Sequence, residues 1–283
     1  MYKILRKEYL TSSICLMEVY APRVASSARP GQFLIVKAGA KSERIPLTIC
    51  DYSPQRGTVT IVTQEVGAST KYICSFEPGD SFDAVVGPLG QPSEFVYECI
   101  EDLSMKHFLF VAGGLGTAPV YPQVKYLHDL GVKVDVIIGA RSSDMIIMEE
   151  QMRNVCDTLY ICTDDGSKGE KGLVTDVMDS LVRSGKNYSQ VVAIGPMVMM
   201  KFVTMKAAEY SIPIVVSLNT LMVDGTGMCG ACRVTIAGKT KFACVDGPEF
   251  NGLDVDFDEA IRRQGMYREI ERENDHKCRI GLH

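Results

Sequence analysis

The sequence predicts a multidomain α+β protein: an N-terminal antiparallel β-barrel, an α/β domain built on a parallel sheet, and a small C-terminal segment rich in cysteine and glycine. Three observations lead to this prediction. Short strand-like segments separated by Gly and Pro turns extend to about Tyr97. Strands then alternate with helical stretches as far as Val216, and three cysteines cluster after residue 228. We place the domain boundaries at 1–101, 102–219 and 220–283.

Composition and charge exclude several classes of protein. The 35 acidic and 30 basic residues give a net charge of −5, so the chain offers nucleic acid no basic surface. The first residues, MYKILRKEYL, lack the apolar core of a signal peptide. No apolar run approaches the ~20 residues of a membrane span, and the ten cysteines do not form the pattern of a disulfide scaffold. We therefore expect a reduced, cytoplasmic protein with no nucleic-acid partner and no membrane span.

The first domain reads as a set of short strands. They are rich in Val, Ile, Phe and Thr and are separated by Pro-Gly and Arg-Gly turns, at Ile14–Tyr20, Gln32–Val36, Thr58–Gln64 and Asp80–Val86. This spacing predicts a small antiparallel barrel or sandwich, with a single helical turn around Ser69–Ser75.

Two polar segments of this domain are candidate ligand contacts. In Arg44-Ile-Pro-Leu-Thr48-Ile, strand alternation places Arg44, Pro46 and Thr48 on one face, where a guanidinium can pair with a phosphate. In Gly67-Ala-Ser69-Thr70, a glycine turn opens a short helix whose free N–H groups can bind an anion. Each segment alone is more typical of ordinary surface, with a solvated Arg44 and with Ser69 capping the helix. The two together, followed by Gly87-Pro88-Leu89-Gly90, indicate a ligand site.

From His107 onward the period changes to that of an α/β domain. Strands are predicted at Phe108–Ala112, Val132–Ile138, Leu159–Cys162, Gln190–Ile194 and Ile212–Val216, and helices at Val120–Leu130, Met145–Val155, Gly172–Arg183 and Met197–Ala208. This alternation predicts a parallel sheet whose ligands bind at the carboxyl ends of its strands.

Three of these strand ends are glycine-rich or polar: Gly113–Pro119, Thr163–Ser167 and Gly195–Met197. A glycine loop before a helix lets a pyrophosphate approach backbone N–H groups. Three such loops at one sheet edge predict a dinucleotide site. The segment after the second strand offers both Arg141 and Asp144, so the residues alone leave NAD and NADP open.

The C-terminal segment contains the pattern D-x4-C-x2-C-x11-C, formed by Asp224, Cys229, Cys232 and Cys244. The plant-type [2Fe–2S] pattern is C-x4-C-x2-C with a fourth cysteine further on, so here a carboxylate stands at the first position. Glycines between the ligands let the backbone wrap closely around a cluster. A zinc knuckle is the alternative, although all four histidines lie outside the segment. A different fourth ligand, with Cys278 as the reserve, also stays open.

A charged helix is predicted over Phe257–Asn274, where acidic and basic residues are mixed on nearly all sides. A solvated face and a docking element for a partner are equally consistent with it.

The motifs R-x-P-L-T-I, V-G-x-x-T and G-P-L-G, followed by GGxGxAP, DDGS and GP, resemble the ferredoxin–NADP⁺ reductase superfamily. Pro46 stands where that family usually has an aromatic, and Ile194 where many members have Cys. The resemblance implies FAD held by Arg44, Pro46, Leu47 and Thr48, with Gly67, Ser69 and Thr70 near its phosphates. It implies NAD(H) at Gly113, Gly114, Gly116, Thr117, Ala118, Pro119, Arg141, Asp164, Asp165, Gly195, Pro196 and Met197.

Over essentially its full length, the chain is most similar to small subunits of the NADH-dependent reduced ferredoxin:NADP⁺ oxidoreductase family. The segment Ser217–Val234, SLNTLMVDGTGMCGACRV, carries this resemblance. It implies a [2Fe–2S] cluster with Asp224 as a ligand, and an oxidoreductase that needs no protein acid or base because its cofactors carry the chemistry.

The same resemblance implies partners. They are a larger flavoprotein subunit with its own FAD and [4Fe–4S] clusters and an NADP(H) site, and ferredoxin reached through that complex. The joint activity would be electron-bifurcating transhydrogenation. Dihydroorotate dehydrogenase electron-transfer subunits also resemble the chain, but with Cys at the first cluster position, and they supply the alternative function.

Overall fold

The computed structural model describes residues 2–266. Its N-terminal part is one antiparallel sheet with two short helices. The strands are β1 (Tyr2–Thr11), β2 (Ile14–Tyr20), β3 (Phe33–Lys37), β4 (Arg44–Ser53), β5 (Thr58–Gln64), β6 (Ser81–Phe82) and β7 (Ala84–Leu89), and the helices are α1 (Pro22–Ser27) and α2 (Ala68–Cys74). The spatial order β6-β1-β2-β5-β4-β3-β7 curls into a nearly closed barrel, which confirms the predicted antiparallel architecture.

Side-chain alternation builds the barrel interior. Cys15, Met17 and Val19 on β2 are at most 1% exposed, as are Val59 and Ile61 on the paired strand β5. Successive side chains of a strand point to opposite faces, so these alternate residues bury one face of the sheet in the barrel core.

The N-terminal strand β1 was not predicted from the sequence. Ile4 is its one fully buried side chain, whereas Lys3, Arg6 and Glu8 are charged and exposed, and even Leu5 is exposed. Apolar alternation is therefore too weak to reveal it, and β1 forms because its backbone pairs with β2 and β6. The segment predicted as one strand over Asp80–Val86 is interrupted at Asp83 and yields β6 and β7.

A second seven-stranded sheet follows a linking helix, α3 (Ile100–Ser104). Its elements are β8 (His107–Gly113), α4 (Thr117–Asp129), β9 (Lys133–Ala140), α5 (Glu149–Arg153), β10 (Thr158–Thr163), β11 (Glu170–Lys171), α6 (Val174–Arg183), β12 (Gln190–Ile194), α7 (Met197–Glu209) and β13 (Ile214–Ser217). These strands run parallel in the order β11-β10-β9-β8-β12-β13, so the predicted parallel sheet is confirmed.

The helices of this domain differ from the prediction at their starts. Helix α4 begins at Thr117, three residues before the predicted start, because its first turn is made by the glycine loop itself. Helix α5 begins only at Glu149, since Met148 before it adopts a left-handed conformation with φ of 56°. A left-handed residue cannot continue a right-handed helix, so the helix predicted over Met145–Val155 starts only after Met148.

The C-terminal segment contains β14 (Arg233–Ile236), β15 (Lys239–Phe242), α8 (Ala243–Asp246), β16 (Glu249–Asn251) and α9 (Phe257–Gln264). Strands β14 and β15 form a hairpin, and β16 pairs antiparallel with β13 at the edge of the large sheet. The predicted charged helix thus begins at Phe257, and its part after residue 266 lies outside the described residues. No helix within residues 2–266 is long and apolar enough to cross a membrane.

Specific contacts join the three parts around a shared cleft. Lys125 on α4 pairs with Asp51 on β4 at 2.8 Å. Gln91, after the barrel, donates its backbone N–H to the Gly247 carbonyl at 2.6 Å and its side-chain amide to the Val245 carbonyl at 2.9 Å. Because β16 completes a sheet that the preceding segment builds, the domain boundaries stay a prediction.

Candidate functional site

A cleft of about 1420 Å³ lies between the barrel and the large sheet. All three parts of the chain line it, including β4, the carboxyl ends of β8, β9, β10 and β12, and the residues after β13. Pockets for drug-sized ligands measure roughly 300–1,000 Å³. The cleft is therefore large enough for an extended ligand or for two ligands that meet.

Most of the predicted nucleotide-binding residues line this cleft. They are Gly113, Gly114, Gly116, Ala118, Pro119, Arg141, Asp164, Gly195, Pro196 and Met197. Thr117 and Asp165 do not line it: the Thr117 hydroxyl donates to the Gly114 carbonyl at 2.9 Å, and the Asp165 carboxylate accepts hydrogen bonds from Ser167. These two residues shape the loops rather than the cleft surface.

The glycine loop is set by close backbone packing. A Cβ on Gly116 would lie 2.1 Å from the Ile194 carbonyl oxygen, and a Cβ on Gly195 would lie 3.0 Å from the Gly113 backbone. The ends of β8 and β12 therefore touch through their main chains. This contact aims the start of the thirteen-residue helix α4 at the cleft, where its first N–H groups can receive a pyrophosphate.

The predicted flavin residues divide into two groups. Pro46, Leu47 and Thr48 line the cleft on the barrel side. Arg44 instead turns to the C-terminal segment, where its guanidinium donates to the carbonyls of Val223 and Asp224, each at 3.2 Å. Arg44 thus connects the predicted flavin strand directly to the predicted cluster loop.

The second group of predicted flavin residues opens α2 and does not line the cleft. Thr70 Oγ1 accepts hydrogen bonds from the backbone N–H groups of Val66 and Gly67, and Ser69 donates to Glu43. A Cβ on Gly67 would meet no atom within 4 Å, so the backbone there is open to an approaching group. The open turn fits the predicted phosphate contact.

The predicted cluster loop brings its residues together in two pairs. The Asp224 carboxylate accepts the N–H of Thr226 at 3.0 Å and that of Cys229 at 3.1 Å. These hydrogen bonds, led by the one from Thr226, hold the pKa of Asp224 below its usual range. The Sγ atoms of Cys232 and Cys244 lie 3.1 Å apart, and both residues are buried.

The predicted donors fit a binuclear cluster in number. The irons of a [2Fe–2S] cluster each need two protein ligands, and Asp224, Cys229, Cys232 and Cys244 together supply four. Gly225, Gly227 and Gly230 all have positive φ, which lets the loop curve between the pairs. Burial raises the pKa of the Cys244 thiol to about 12, so iron binding displaces its proton.

Sequence analysis missed one polar group beside the cleft. Glu249, on β16, accepts hydrogen bonds on one carboxyl oxygen from Ser93 at 3.0 Å and from Gln123 at 2.8 Å. These residues are 156 and 126 positions away in the chain. A carboxylate inside a turn-rich segment was the only signal, and no spacing rule connects the three residues.

Comparison with known proteins identifies the family. Residues 110–205 match the oxidoreductase NAD-binding domain, and residues 219–256 match the iron–sulfur cluster binding domain of dihydroorotate dehydrogenase B. A Thermotoga maritima homolog of the dihydroorotate dehydrogenase B (NAD⁺) electron transfer subunit is 46% identical, over 95% of this chain and 93% of that protein. A protein from the adh 3′ region of Clostridium beijerinckii is 55% identical, over 98% of this chain and 96% of that protein.

A solved structure extends the match. A chain of the NADH-dependent reduced ferredoxin–NADP oxidoreductase, from work on flavin-based electron bifurcation, superposes with a TM-score of 0.91. It is 42% identical, and the match covers 99% of this chain and 98% of that one. The chain belongs to this family of electron-transfer subunits. The resemblance seen in the sequence motifs is therefore confirmed.

Membership establishes the cofactors of the electron-transfer subunit. It is an oxidoreductase that uses FAD, NAD(H) and a [2Fe–2S] cluster, as predicted. Which atoms of the chain contact each cofactor stays a prediction. The cleft residues and the predicted cluster ligands fit the nucleotides and the cluster in chemistry, and the backbone at Gly67 is open to a phosphate.

Replacing Asp224 with Cys tests the carboxylate as a cluster ligand. The hydrogen bonds that Asp224 accepts from Thr226 and Cys229 favour added negative charge, and a sulfur atom accepts them less well. We expect the cluster midpoint potential to fall by about 59 mV or more, the value of a tenfold change for one electron. A potentiometric titration monitored by electron paramagnetic resonance measures it, and an unchanged potential contradicts the assignment.

A second pair of variants tests whether Asp224 or Cys278 is the fourth cluster ligand. Asp224→Asn is expected to weaken cluster retention, because a neutral amide is a poor iron ligand. Cys278→Ser is expected to leave the iron content unchanged. The opposite pattern would assign the fourth ligand to Cys278.

Proposed function

We propose that this electron-transfer subunit is the NAD(H)-linked half of an electron-bifurcating NADPH/NAD⁺/ferredoxin transhydrogenase. The observation that carries the proposal is the match over 99% of the chain, at a TM-score of 0.91, to a chain of the NADH-dependent reduced ferredoxin–NADP oxidoreductase. The carboxylate at the first cluster position, Asp224, supports it as well. Its partner in this proposal is a larger flavoprotein subunit with its own FAD, [4Fe–4S] clusters and NADP(H) site, through which ferredoxin is reached.

The residues of the chain perform binding and positioning. When bound, FAD and the cluster convert the electron pair of a hydride into single electrons. Gly113, Gly114 and Gly116 give NAD(H) close access to the start of α4, and Pro46, Leu47 and Thr48 form the facing wall of the same cleft. Arg44 links that wall to the loop of Asp224, which keeps the two redox sites at a set separation. No protein acid or base is needed for hydride transfer.

A dihydroorotate dehydrogenase electron-transfer subunit is the second candidate. The match of residues 219–256 to the iron–sulfur domain of dihydroorotate dehydrogenase B favours it, as does the 46% identity to the Thermotoga maritima homolog. Both functions use the same three cofactors, so only the partner and its substrate separate them.

Purification of the native complex under anaerobic conditions tests the proposal. A tag on this chain is expected to bring down a larger subunit that contains FAD and [4Fe–4S] clusters. The complex should oxidise NADPH only when both NAD⁺ and ferredoxin are present as acceptors. Recovery of a dihydroorotate-oxidising enzyme, with dihydroorotate-dependent reduction of NAD⁺, would establish the second candidate instead.

A further inference from the structure

The Glu249 carboxyl lies where the three parts of the chain meet. Its Oε1 accepts hydrogen bonds from Ser93, between barrel and large sheet, and from Gln123 on α4. Both donors are 0% exposed, whereas Glu249 itself keeps part of its surface accessible. The carboxyl oxygen Oε1 is thus held between two buried donors, in a residue that is itself partly exposed.

The surroundings of this carboxyl favour a bound proton. Ser93 and Gln123 are neutral, and the charged side chain facing it is that of Glu94, which is also acidic. Burial without a cation disfavours a carboxylate. Desolvation, with a smaller contribution from Glu94, accordingly raises the pKa of Glu249 to about 7, against the opposing effect of its two hydrogen bonds.

The same network borders the ligand cleft. Gln123, Pro248 and Ser217 line the cleft, and Ser217 is the ladder partner of Glu249 in the β13–β16 pair. The second amide atom of Gln123, Oε1, is buried and has no hydrogen-bond partner within residues 2–266. An orphaned buried acceptor on a cleft wall calls for a donor on the ligand. A ligand in the cleft therefore connects to Glu249 through one side chain.

We propose that Glu249 is a redox-linked proton site: its carboxyl takes up one proton when an electron pair enters the cleft and releases it when the electrons leave. The proposal rests on the electron-transfer role of the subunit and not on the identity of its partner. A hydride that NADH gives to the flavin would leave one added negative charge in the cleft once NAD⁺, which carries the matching positive charge, has left. Nearby negative charge strengthens proton binding by a carboxylate. The proton comes from a solvent acid, hydronium or protonated buffer, whose bond to it breaks as the proton bonds to the Glu249 carboxylate oxygen and offsets the added charge.

The proton count on reduction tests this proposal in the full chain purified with its FAD and cluster. Proton uptake is measured with a pH indicator in weakly buffered, anaerobic solution during reduction by dithionite, after subtraction of the protons that dithionite releases when a protein-free oxidant consumes the same amount at the same pH. We expect the uptake per two electrons in the wild type to exceed that of Glu249→Gln by up to one proton, with the largest difference near pH 7 to 8. The isosteric amide keeps an oxygen for Ser93 and Gln123 but does not titrate.

Glu94→Gln is the matched control. It removes the neighbouring negative charge, so we expect the extra proton to remain and its pH midpoint to move downward. Equal proton uptake by the wild type and Glu249→Gln overturns the proposal. If Glu249→Gln does not fold, a wild-type proton count that stays constant from pH 6 to 9 overturns it equally. Because the isolated chain is used, neither result depends on which partner the complex contains.

Discussion

Gly116→Ala is expected to destabilise the protein by about 3 kcal/mol or more and to slow flavin reduction by NADH at least ~100-fold. The added Cβ would lie 2.1 Å from the Ile194 carbonyl oxygen and 2.7 Å from its carbonyl carbon. Both are backbone atoms of β12, so neither can rotate away. The loop or the strand must shift, and the N-terminus of α4 then no longer points toward the cleft. Denaturant unfolding and anaerobic stopped-flow absorbance measure the two effects.

Gly114→Ala, two residues away in the same loop, provides the comparison. A Cβ there would meet no atom within 4 Å, but φ is +53°. The expected cost in stability is only that of the left-handed conformation, about 1 kcal/mol. Equal losses in the two variants would show that the loop depends on glycine flexibility, and the packing of Gly116 against Ile194 would not be the cause.

Cys244→Ala is expected to remove the cluster and to separate two activities that the wild type combines. Cys244 is 2% exposed, and its sulfur lies 3.1 Å from that of Cys232, so its loss leaves one iron with a single thiolate from this pair. NADH should still reduce the flavin, because the cleft is unchanged. Electron delivery from NADH to ferredoxin or to the partner subunit should fall at least ~100-fold, by the rate loss typical of removing a required group.

Cys50→Ala is the matched control for that variant, since Cys50 is equally buried, at 1% exposure, but packs between the barrel and α4. It should keep its iron, its acid-labile sulfide and its visible spectrum. Iron and sulfide analysis of both variants decides whether Cys244 is a cluster ligand. A Cys244→Ala protein with a full cluster would refute the ligand set, and a wild-type protein that carries zinc would refute the cluster itself.

The cluster segment and the nucleotide loops were readable from the sequence because their chemistry is local. Asp224, Cys229 and Cys232 lie within one short loop, and ligand spacing there is a direct geometric requirement. The glycine loop between Gly113 and Gly116 is likewise local in sequence. The contact that requires glycine at position 116 is not local, because it is made with Ile194, on a strand far along the chain.

Contacts between distant segments were not predictable. The strand position of Arg44 suggested a phosphate contact, but it could not reveal that the guanidinium also donates to backbone carbonyls about 180 residues away. Glu249 meets Ser93 and Gln123 only after three segments have folded together. The weakly apolar strand β1 escaped notice for a related reason, since backbone pairing rather than side-chain burial secures it.

The short strand β16 limits how this chain can be shortened. It covers the outer edge of β13, so a chain cut before the cluster segment would expose unpaired N–H and C=O groups along that edge. Such an edge recruits other chains. A flavin reductase without iron therefore cannot be produced from this sequence by simple truncation. Deletion of the whole segment during evolution would require a substitute edge strand to appear first, whereas substitution of a cluster cysteine would not.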